Sequence, residues 1–135
     1  MKSFSFTVPI APVGKERPRV TRRNGMVVTY TPKKTITAEN AIRFMALANR
    51  LVRMEGPLKL DLICSMEPPA SMSQKKRLAL MEKPMEGYPD VDNLLKLVMD
   101  ALQGLVYKND KSVVQASVLK KYGERNSITV SIAQI

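Results

Sequence analysis

Four Asp residues and Lys96 lie within a short segment of the sequence, residues 90–110. Asp90 and Asp92 are separated by one residue, Lys96 follows four positions after Asp92, and Asp100 and Asp110 come further along the chain. Carboxylates that meet at one point repel one another unless a cation lies between them. Oxygen ligands of this kind suit Mg²⁺ or Mn²⁺. The segment therefore predicts a divalent-cation site formed by Asp90, Asp92 and Asp110.

Such a site would suit phosphodiester chemistry. Bound Mg²⁺ lowers the pKa of a water and stabilises the leaving oxygen of a phosphodiester. Lys96 lies one helical turn beyond Asp92, where its charge would stabilise a negatively charged transition state. The general base stays open between a hydroxide on the metal and Lys96. We favour Lys96 as a cation, because neighbouring carboxylates stabilise the charged amine.

A purely structural interpretation of the same residues is also open. Asp92 would cap a helix and interact with its positive N-terminal dipole. Lys96 would form ordinary i,i+4 ion pairs with Asp92 and Asp100, and Asp110 would be a turn residue. A pair of Asp residues separated by one position is weak support for catalysis. The complete set of three Asp and one Lys is the stronger signal.

Composition excludes several other chemistries. The chain has 135 residues, no His and one Cys, which is Cys64. These counts exclude a disulfide framework and a Cys-rich zinc site, and they leave no Ser-His-Asp triad or Cys-His pair. No apolar run approaches the ~20 residues of a membrane span. We expect a cytoplasmic protein with no membrane association.

Positive charge is concentrated in the first third of the chain. The formal net charge is +10, and residues 1–50 hold ten Lys and Arg against two Glu. A concentrated basic surface is typical of proteins that bind nucleic acid, although solvated charge is the alternative for any single residue. The residues that we expect to hold phosphate backbones are Lys15, Arg17, Arg19, Arg22, Arg23, Lys33 and Lys34.

Residue patterns before the Asp-rich segment predict alternating strands and helices. Residues 3–11 alternate as a strand, and residues 12–19 form a basic loop because Pro12 and Pro18 exclude helix. Asn24-Gly25 predicts a hairpin over residues 18–31. A helix is predicted over residues 35–54, capped by Thr35 or Thr37, and a strand over residues 58–64.

The second half is predicted to carry the chemistry on a helix. Ser73 should start a short helix that ends near Met81, and residues 83–89 form a loop. The main helix runs from Asp92 to Gln103 with Gly104 after its end. Its apolar stripe is Leu94, Leu95, Val98, Ala101, Leu102 and Leu105. Residues 112–121 and 127–134 read as a closing pair of strands. Together these elements predict one α+β domain over residues 1–135, with a mixed sheet packed against two or three helices.

The segment Pro89-Asp90-Val91-Asp92-Asn93-Leu94-x-Lys96 resembles the RusA family of Holliday junction resolvases, which are common in prophages. Further matches are Asp100-Ala101-Leu102-x-Gly104 and Asn109-Asp110-x-x-Val113-Val114. The N-terminal segment Gly14-Lys15-x-Arg17-Pro18-Arg19, Tyr30-Thr31-Pro32 and the strand ending Lys121-Tyr122-Gly123 resemble the same family. The resemblance covers most of the chain.

The resemblance implies a homodimeric, Mg²⁺-dependent endonuclease that makes paired nicks across a four-way DNA junction, in recombination and repair. By position, Asp90, Asp92 and Asp110 resemble the metal-binding carboxylates, and Lys96 resembles the catalytic lysine. Asp100 and Asn93 match further positions of the motif and are expected beside the site. Mn²⁺ is the alternative metal.

Tyr88 stands directly before the motif. An aromatic ring there is placed to stack on an unpaired base at the junction centre, although a loop Tyr packed on the surface is an equal alternative.

Two other functions remain open from the sequence. One is a non-catalytic basic module that binds nucleic acid, in which the carboxylates serve only as caps and ion pairs. The other is a Mg²⁺-dependent nuclease that cuts branched DNA more broadly. For the homodimer, the apolar helices at residues 35–54 and 92–103 are candidate interfaces, but a role in the core explains them equally well.

Overall fold

The computed structural model describes residues 1–135. Six strands and three helices occur in the order β1 (Ser3–Val8), β2 (Arg19–Arg23), β3 (Met26–Tyr30), α1 (Lys33–Ala48), β4 (Leu58–Met66), α2 (Gln74–Leu80), α3 (Val91–Leu102), β5 (Val113–Tyr122) and β6 (Ser127–Gln134). A single turn of 3-10 helix, Asp110–Ser112, precedes β5. The predicted α+β class with a mixed sheet is confirmed.

The main sheet has four strands in the order β1-β6-β4-β5. β4 and β5 run parallel, and the other neighbours are antiparallel. Parallel strands need a long crossover connection, and here it contains α2 and α3. Because α3 lies in this crossover, its first residues come near the end of β5 and its last residues near the start of β4 and β5.

The predicted closing pair of strands is wrong in one respect. β5 and β6 are adjacent in sequence, but β4 lies between them in the sheet and pairs with both. β4 is the most buried strand, with Leu58, Leu60, Leu62 and Cys64 almost inaccessible. Strands buried on the central positions of a sheet gain the most from apolar burial. β4 and β6, whose alternate residues are buried, therefore take the two central positions, and β5, which has no buried residue, lies at the edge.

The helix α1 differs from the prediction at both ends. Pro32 occupies the N-cap position. Thr35 is instead fully buried within the helix, and its hydroxyl accepts a hydrogen bond from the Glu16 amide at 3.3 Å. The helix ends at Ala48, six residues earlier than predicted. Arg50 adopts a left-handed conformation with φ 55°. The Leu51 amide donates to the Ala46 carbonyl at 3.0 Å, which closes a Schellman motif without glycine.

Other sequence predictions are confirmed or change only slightly. The hairpin β2-β3 turns at Asn24 and Gly25, both with positive φ, and Ser73 caps α2. β1 ends at Val8 instead of residue 11. The side of α3 that faces the core contains Leu94, Leu97, Val98, Ala101 and Leu102. No helix has the length and apolar character that crossing a membrane requires.

Candidate active site

A cleft of about 660 Å³ lies at the start of α3. Its walls are residues 14–19 of the basic loop together with Tyr88, Asp90, Asp92 and Asn93. We call it the α3 cleft. It joins the two features that the sequence placed far apart, which are the basic segment near the N-terminus and the first two carboxylates of the Asp-rich segment. Cations and carboxylates thus line one space.

The basic loop is held directly against α3. The Lys15 amide donates to the Asn93 carbonyl at 3.0 Å. Gly14 packs so closely that an added Cβ would lie 2.9 Å from the Cβ of Asn93 and 3.4 Å from that of Pro89. Any side chain at position 14 would therefore force the loop and the helix start apart. The absence of a side chain at Gly14 allows the loop cations to approach the carboxylates.

Asp90 and Asp92 have no partner within the chain. Asp90 is the N-cap residue of α3, but its side chain makes no capping hydrogen bond. Neither carboxylate is in an ion pair, and both residues are exposed. An N-cap Asp normally accepts from the backbone amides of the first turn. The structural interpretation, in which these residues act only as caps and ion pairs, therefore does not describe their contacts.

Lys15 makes a different set of contacts from those expected of a phosphate ligand. Its ammonium lies 2.5 Å from Glu39 on α1 and 3.3 Å from Asp100 on α3. Burial alone would lower the pKa of Lys15, but the two carboxylates outweigh burial and the pKa is raised above 10.5. Lys15 thus links the basic loop to both helices, and Glu39 was not identified from the sequence.

We expect Lys15→Met to destabilise the fold by about 1–3 kcal/mol at pH 7, because it removes hydrogen bonds between charged groups that are largely shielded from water. A raised pKa in the folded state means that this contribution is complete below about pH 10.5 and disappears as the pH rises through the higher folded value. Urea unfolding of the wild type and of Lys15→Met across this pH range measures the contribution of Lys15 to stability.

The matched control for this prediction is Lys59→Met. Lys59 lies 3.7 Å from Asp61 in an exposed pair, which should contribute no more than about 1 kcal/mol. The difference in free energy of unfolding between wild type and Lys15→Met could instead stay constant as the pH is raised well above 10.5. In that case the aliphatic part of Lys15 stabilises the fold by packing, and its ion pairs with Glu39 and Asp100 contribute nothing.

A second lysine supports the loop before α3. The Lys120 ammonium on β5 donates to the Pro89 carbonyl at 2.9 Å and also to the Gly87 carbonyl. These carbonyls flank Tyr88, and the bond between Tyr88 and Pro89 is cis. Lys120 therefore fixes the backbone from which both Tyr88 and Asp90 project. Nothing in the local sequence around Lys120 indicated this contact, which joins residues 31 positions apart.

Asp110 lies away from the α3 cleft. Its amide donates to the Gln103 side chain at 3.1 Å, near the C-terminal end of α3. Burial, with the charges of Asp110 and Asp100, raises the pKa of Tyr107, whose hydroxyl donates to the Met99 carbonyl at 2.6 Å. The chain turns after Gly104 and passes directly into β5, which keeps Asp110 at this end. The expected meeting of Asp90, Asp92 and Asp110 at one point is not seen within a single chain.

Lys96 and Asp100 continue along the exposed side of α3. The Lys96 ammonium lies 3.7 Å from Asp100, and the Lys96 side chain is 62% exposed. Lys96 does not line the α3 cleft, although it lies one helical turn from Asp92. Its ammonium therefore pairs with Asp100 alone and not with Asp92.

The ligands that the α3 cleft offers to a cation are two carboxylates. No group of three or more Asp, Glu or Cys side chains is close enough to hold a metal ion. Mg²⁺ is commonly held by one or two carboxylates, with the remaining places taken by water and substrate phosphate. Asp90 and Asp92, which are unpaired and line one cleft, fit that pattern.

The remaining basic residues lie around the cleft and beyond it. Arg17 and Arg19 line the α3 cleft, and Arg19 also pairs with Glu16 at 3.0 Å. Arg22 and Arg23 are exposed on β2, which belongs to the separate hairpin. Lys33 and Lys34 begin α1, and the Lys34 ammonium lies 5.8 Å from the centre of the Tyr88 ring.

Comparison with known families gives a match to the model of the endodeoxyribonuclease RusA over residues 9–133. The chain belongs to the RusA endodeoxyribonuclease family. The match contains the basic loop, the whole of α3 and Asp110, so every residue that forms the α3 cleft lies inside it. A RusA-family assignment agrees with a cleft that combines cations and carboxylates.

A curated relative covers the whole chain. It is an uncharacterized protein of Bacillus subtilis (strain 168), YqaN, which is 34% identical over 142 residues, covering 100% of this chain and 99% of that protein. The two proteins thus share their full length. The relative carries no assigned activity, so the RusA family match is what connects this chain to DNA cleavage.

Proposed function

We propose that this protein is a Mg²⁺-dependent endonuclease that resolves four-way DNA junctions by paired nicks, in DNA recombination and repair. The observation that supports this most is the α3 cleft, where the unpaired carboxylates of Asp90 and Asp92 lie beside Arg17 and Arg19. Unpaired carboxylates next to cations would weaken DNA binding unless a metal ion joins them to a phosphate. Mn²⁺ is an alternative metal.

Each part of the cleft has a role in this proposal. Arg17 and Arg19 bind the phosphate backbone and orient it, while Asp90 and Asp92 hold the metal. A divalent ion bound by these two carboxylates would supply an activated water and stabilise the leaving oxygen. The Lys96 cation stabilises negative charge at the phosphodiester. Asn93 lines the cleft beside these residues, and Asp100 supports it from further along α3 by pairing with Lys15 and Lys96. Asp110 lies outside the cleft and takes no part in this site.

Two equal nicks need two equal active sites, and a symmetric homodimer provides them. The apolar side of α3 is buried in the core, so it is not available for a second copy. On α1, Phe44 and Leu47 are 68% and 59% exposed. We propose that this side of α1 contacts the second copy.

Tyr88 is proposed to stack on an unpaired base at the junction centre. Its side chain is 60% exposed at the rim of the α3 cleft, and Lys34 lies over its ring. Stacking on an aromatic ring contributes about 1–3 kcal/mol per base. We expect Tyr88→Ala to weaken junction binding by roughly 5–150-fold, and to remove the fluorescence increase of 2-aminopurine placed at the junction centre. If cleavage and fluorescence are unchanged, Tyr88 packs on the surface only.

A panel of labelled DNA substrates tests the substrate class. We expect a four-way junction to be cut much faster than the matching linear duplex, with forked and flap DNA cut slowly. Equal rates on forked and four-way DNA would identify a nuclease for branched DNA in general. The second candidate function is a DNA-binding module without catalysis, and the separation of Asp110 from the α3 cleft favours it.

A further inference from the structure

A second cleft lies at the opposite end of α3. It has a volume of about 600 Å³, and the exposed cations Lys2, Arg53 and Lys108 line it together with Glu55. We call it the basic cleft. None of its four charged side chains is in an ion pair. The Lys2 ammonium donates to the Arg53 carbonyl at 3.4 Å, but no carboxylate neutralises any of the three cations, so the cleft keeps a net positive charge.

The three cations come from separate segments that hydrogen bonds hold together. The Gln134 amide donates to the Lys2 carbonyl at 2.9 Å, and the Gln134 side chain donates to the Glu55 carbonyl at 3.0 Å. The Met54 amide donates to the Val106 carbonyl at 2.8 Å. Met54, Val106 and Tyr107 are buried beneath the cleft. The charged side chains therefore project from a fixed backbone.

We infer that the basic cleft binds the phosphodiester backbone of a DNA arm, away from the scissile phosphate. This inference rests on the proposed function. α3 has 12 residues and is therefore about 18 Å long. At ~3.4 Å per nucleotide step, that distance corresponds to about five steps of DNA. Arg and Lys are the usual ligands of backbone phosphates, and none of these three residues belongs to the basic segment of residues 15–34.

The test measures how salt affects binding to a four-way junction. Fluorescence anisotropy in EDTA records affinity without cleavage. Each phosphate interaction that a variant removes should make the slope of log K against log salt less steep by about 0.9, which is roughly a 3-fold change over a fourfold salt range. We expect this change for Arg53→Gln and for Lys108→Gln, and twice the change for the double variant. Arg53→Lys should retain the wild-type slope.

The matched control is Lys59→Gln, which removes the same charge from a lysine already paired with Asp61. Its slope should equal that of the wild type. An equal slope change in Lys59→Gln would show that net charge alone acts, and unchanged slopes in the cleft variants would show that the cleft contacts no DNA. Either result overturns the inference.

Two further measurements are needed. One distinguishes DNA binding from the binding of a free anion, and the other distinguishes failure of the inference about the basic cleft from failure of the proposed function. Inorganic phosphate alone is titrated by NMR. If it saturates the cleft at micromolar concentration in the wild type and not in the variants, while DNA slopes are unchanged, the cleft binds a free anion and the inference is wrong. If the wild type does not prefer branched DNA at any salt concentration, the proposed function fails. If the wild type binds junctions normally and the variants match it, only the basic cleft fails.

Discussion

Asp90→Asn and Asp92→Asn are each expected to reduce junction cleavage by at least about 10²-fold. Both changes keep the size of the side chain and remove the charge that would hold a divalent cation. Neither carboxylate forms an ion pair or a capping hydrogen bond, so the fold should be almost unaffected. Single-turnover cleavage of a labelled junction measures the rate, and thermal unfolding checks the fold.

Binding should respond in the opposite direction. Removing a negative charge from a cleft that also contains Arg17 and Arg19 should leave junction affinity unchanged or increase it when no metal is present. Glu86→Gln is the matched control, because Glu86 is an exposed carboxylate in the preceding loop that does not line the cleft. Full cleavage activity in both Asp variants would show that the α3 cleft takes no part in the reaction.

Lys96→Met is expected to lower the cleavage rate by about 10²-fold, since one group that stabilises the negative charge developing at the reacting centre contributes about this much. Lys96 is largely exposed and makes one long contact, to Asp100 at 3.7 Å. We therefore expect little change in stability. The affinity for DNA should fall by no more than the contribution of a single phosphate contact. The effect should appear in kcat and leave KM nearly constant.

Two variants make the Lys96 experiment specific. Lys96→Arg retains the charge and should recover part of the rate, whereas a residue acting as a base would not be replaced by Arg. Lys75→Met removes an exposed lysine from α2 and should cleave normally. A rate for Lys96→Met equal to that of Lys75→Met would show that Lys96 is a solvated charge.

Local signals in the sequence were sufficient for most elements. Asn24-Gly25 specified the hairpin, Ser73 the start of α2 and Gly104 the end of α3, because each depends on backbone preferences within a few residues. The early end of α1 was missed since Arg50, and not a glycine, adopts the left-handed conformation there. A helix end of that kind has no compositional signature.

The candidate site was only partly predictable. Asp90, Asp92 and the basic loop were identified by residue type, and the structure places them in one cleft. The contacts that arrange them join distant positions, as Lys15 with Asp100 and Lys120 with Pro89 do. Such pairs depend on the order of strands and the packing of helices, which periodicity does not encode. The position of Asp110 depends on the same tertiary arrangement.

The most direct test of this account uses an end-labelled four-way junction and the matching linear duplex, each incubated with the protein in Mg²⁺ or in EDTA. We expect symmetric nicks in the junction alone, only with Mg²⁺, and their disappearance in Asp90→Asn. Tight binding of the junction without cleavage in any divalent cation would contradict the account. In that case the carboxylates of the α3 cleft take no part in catalysis, and the protein binds branched DNA without cutting it.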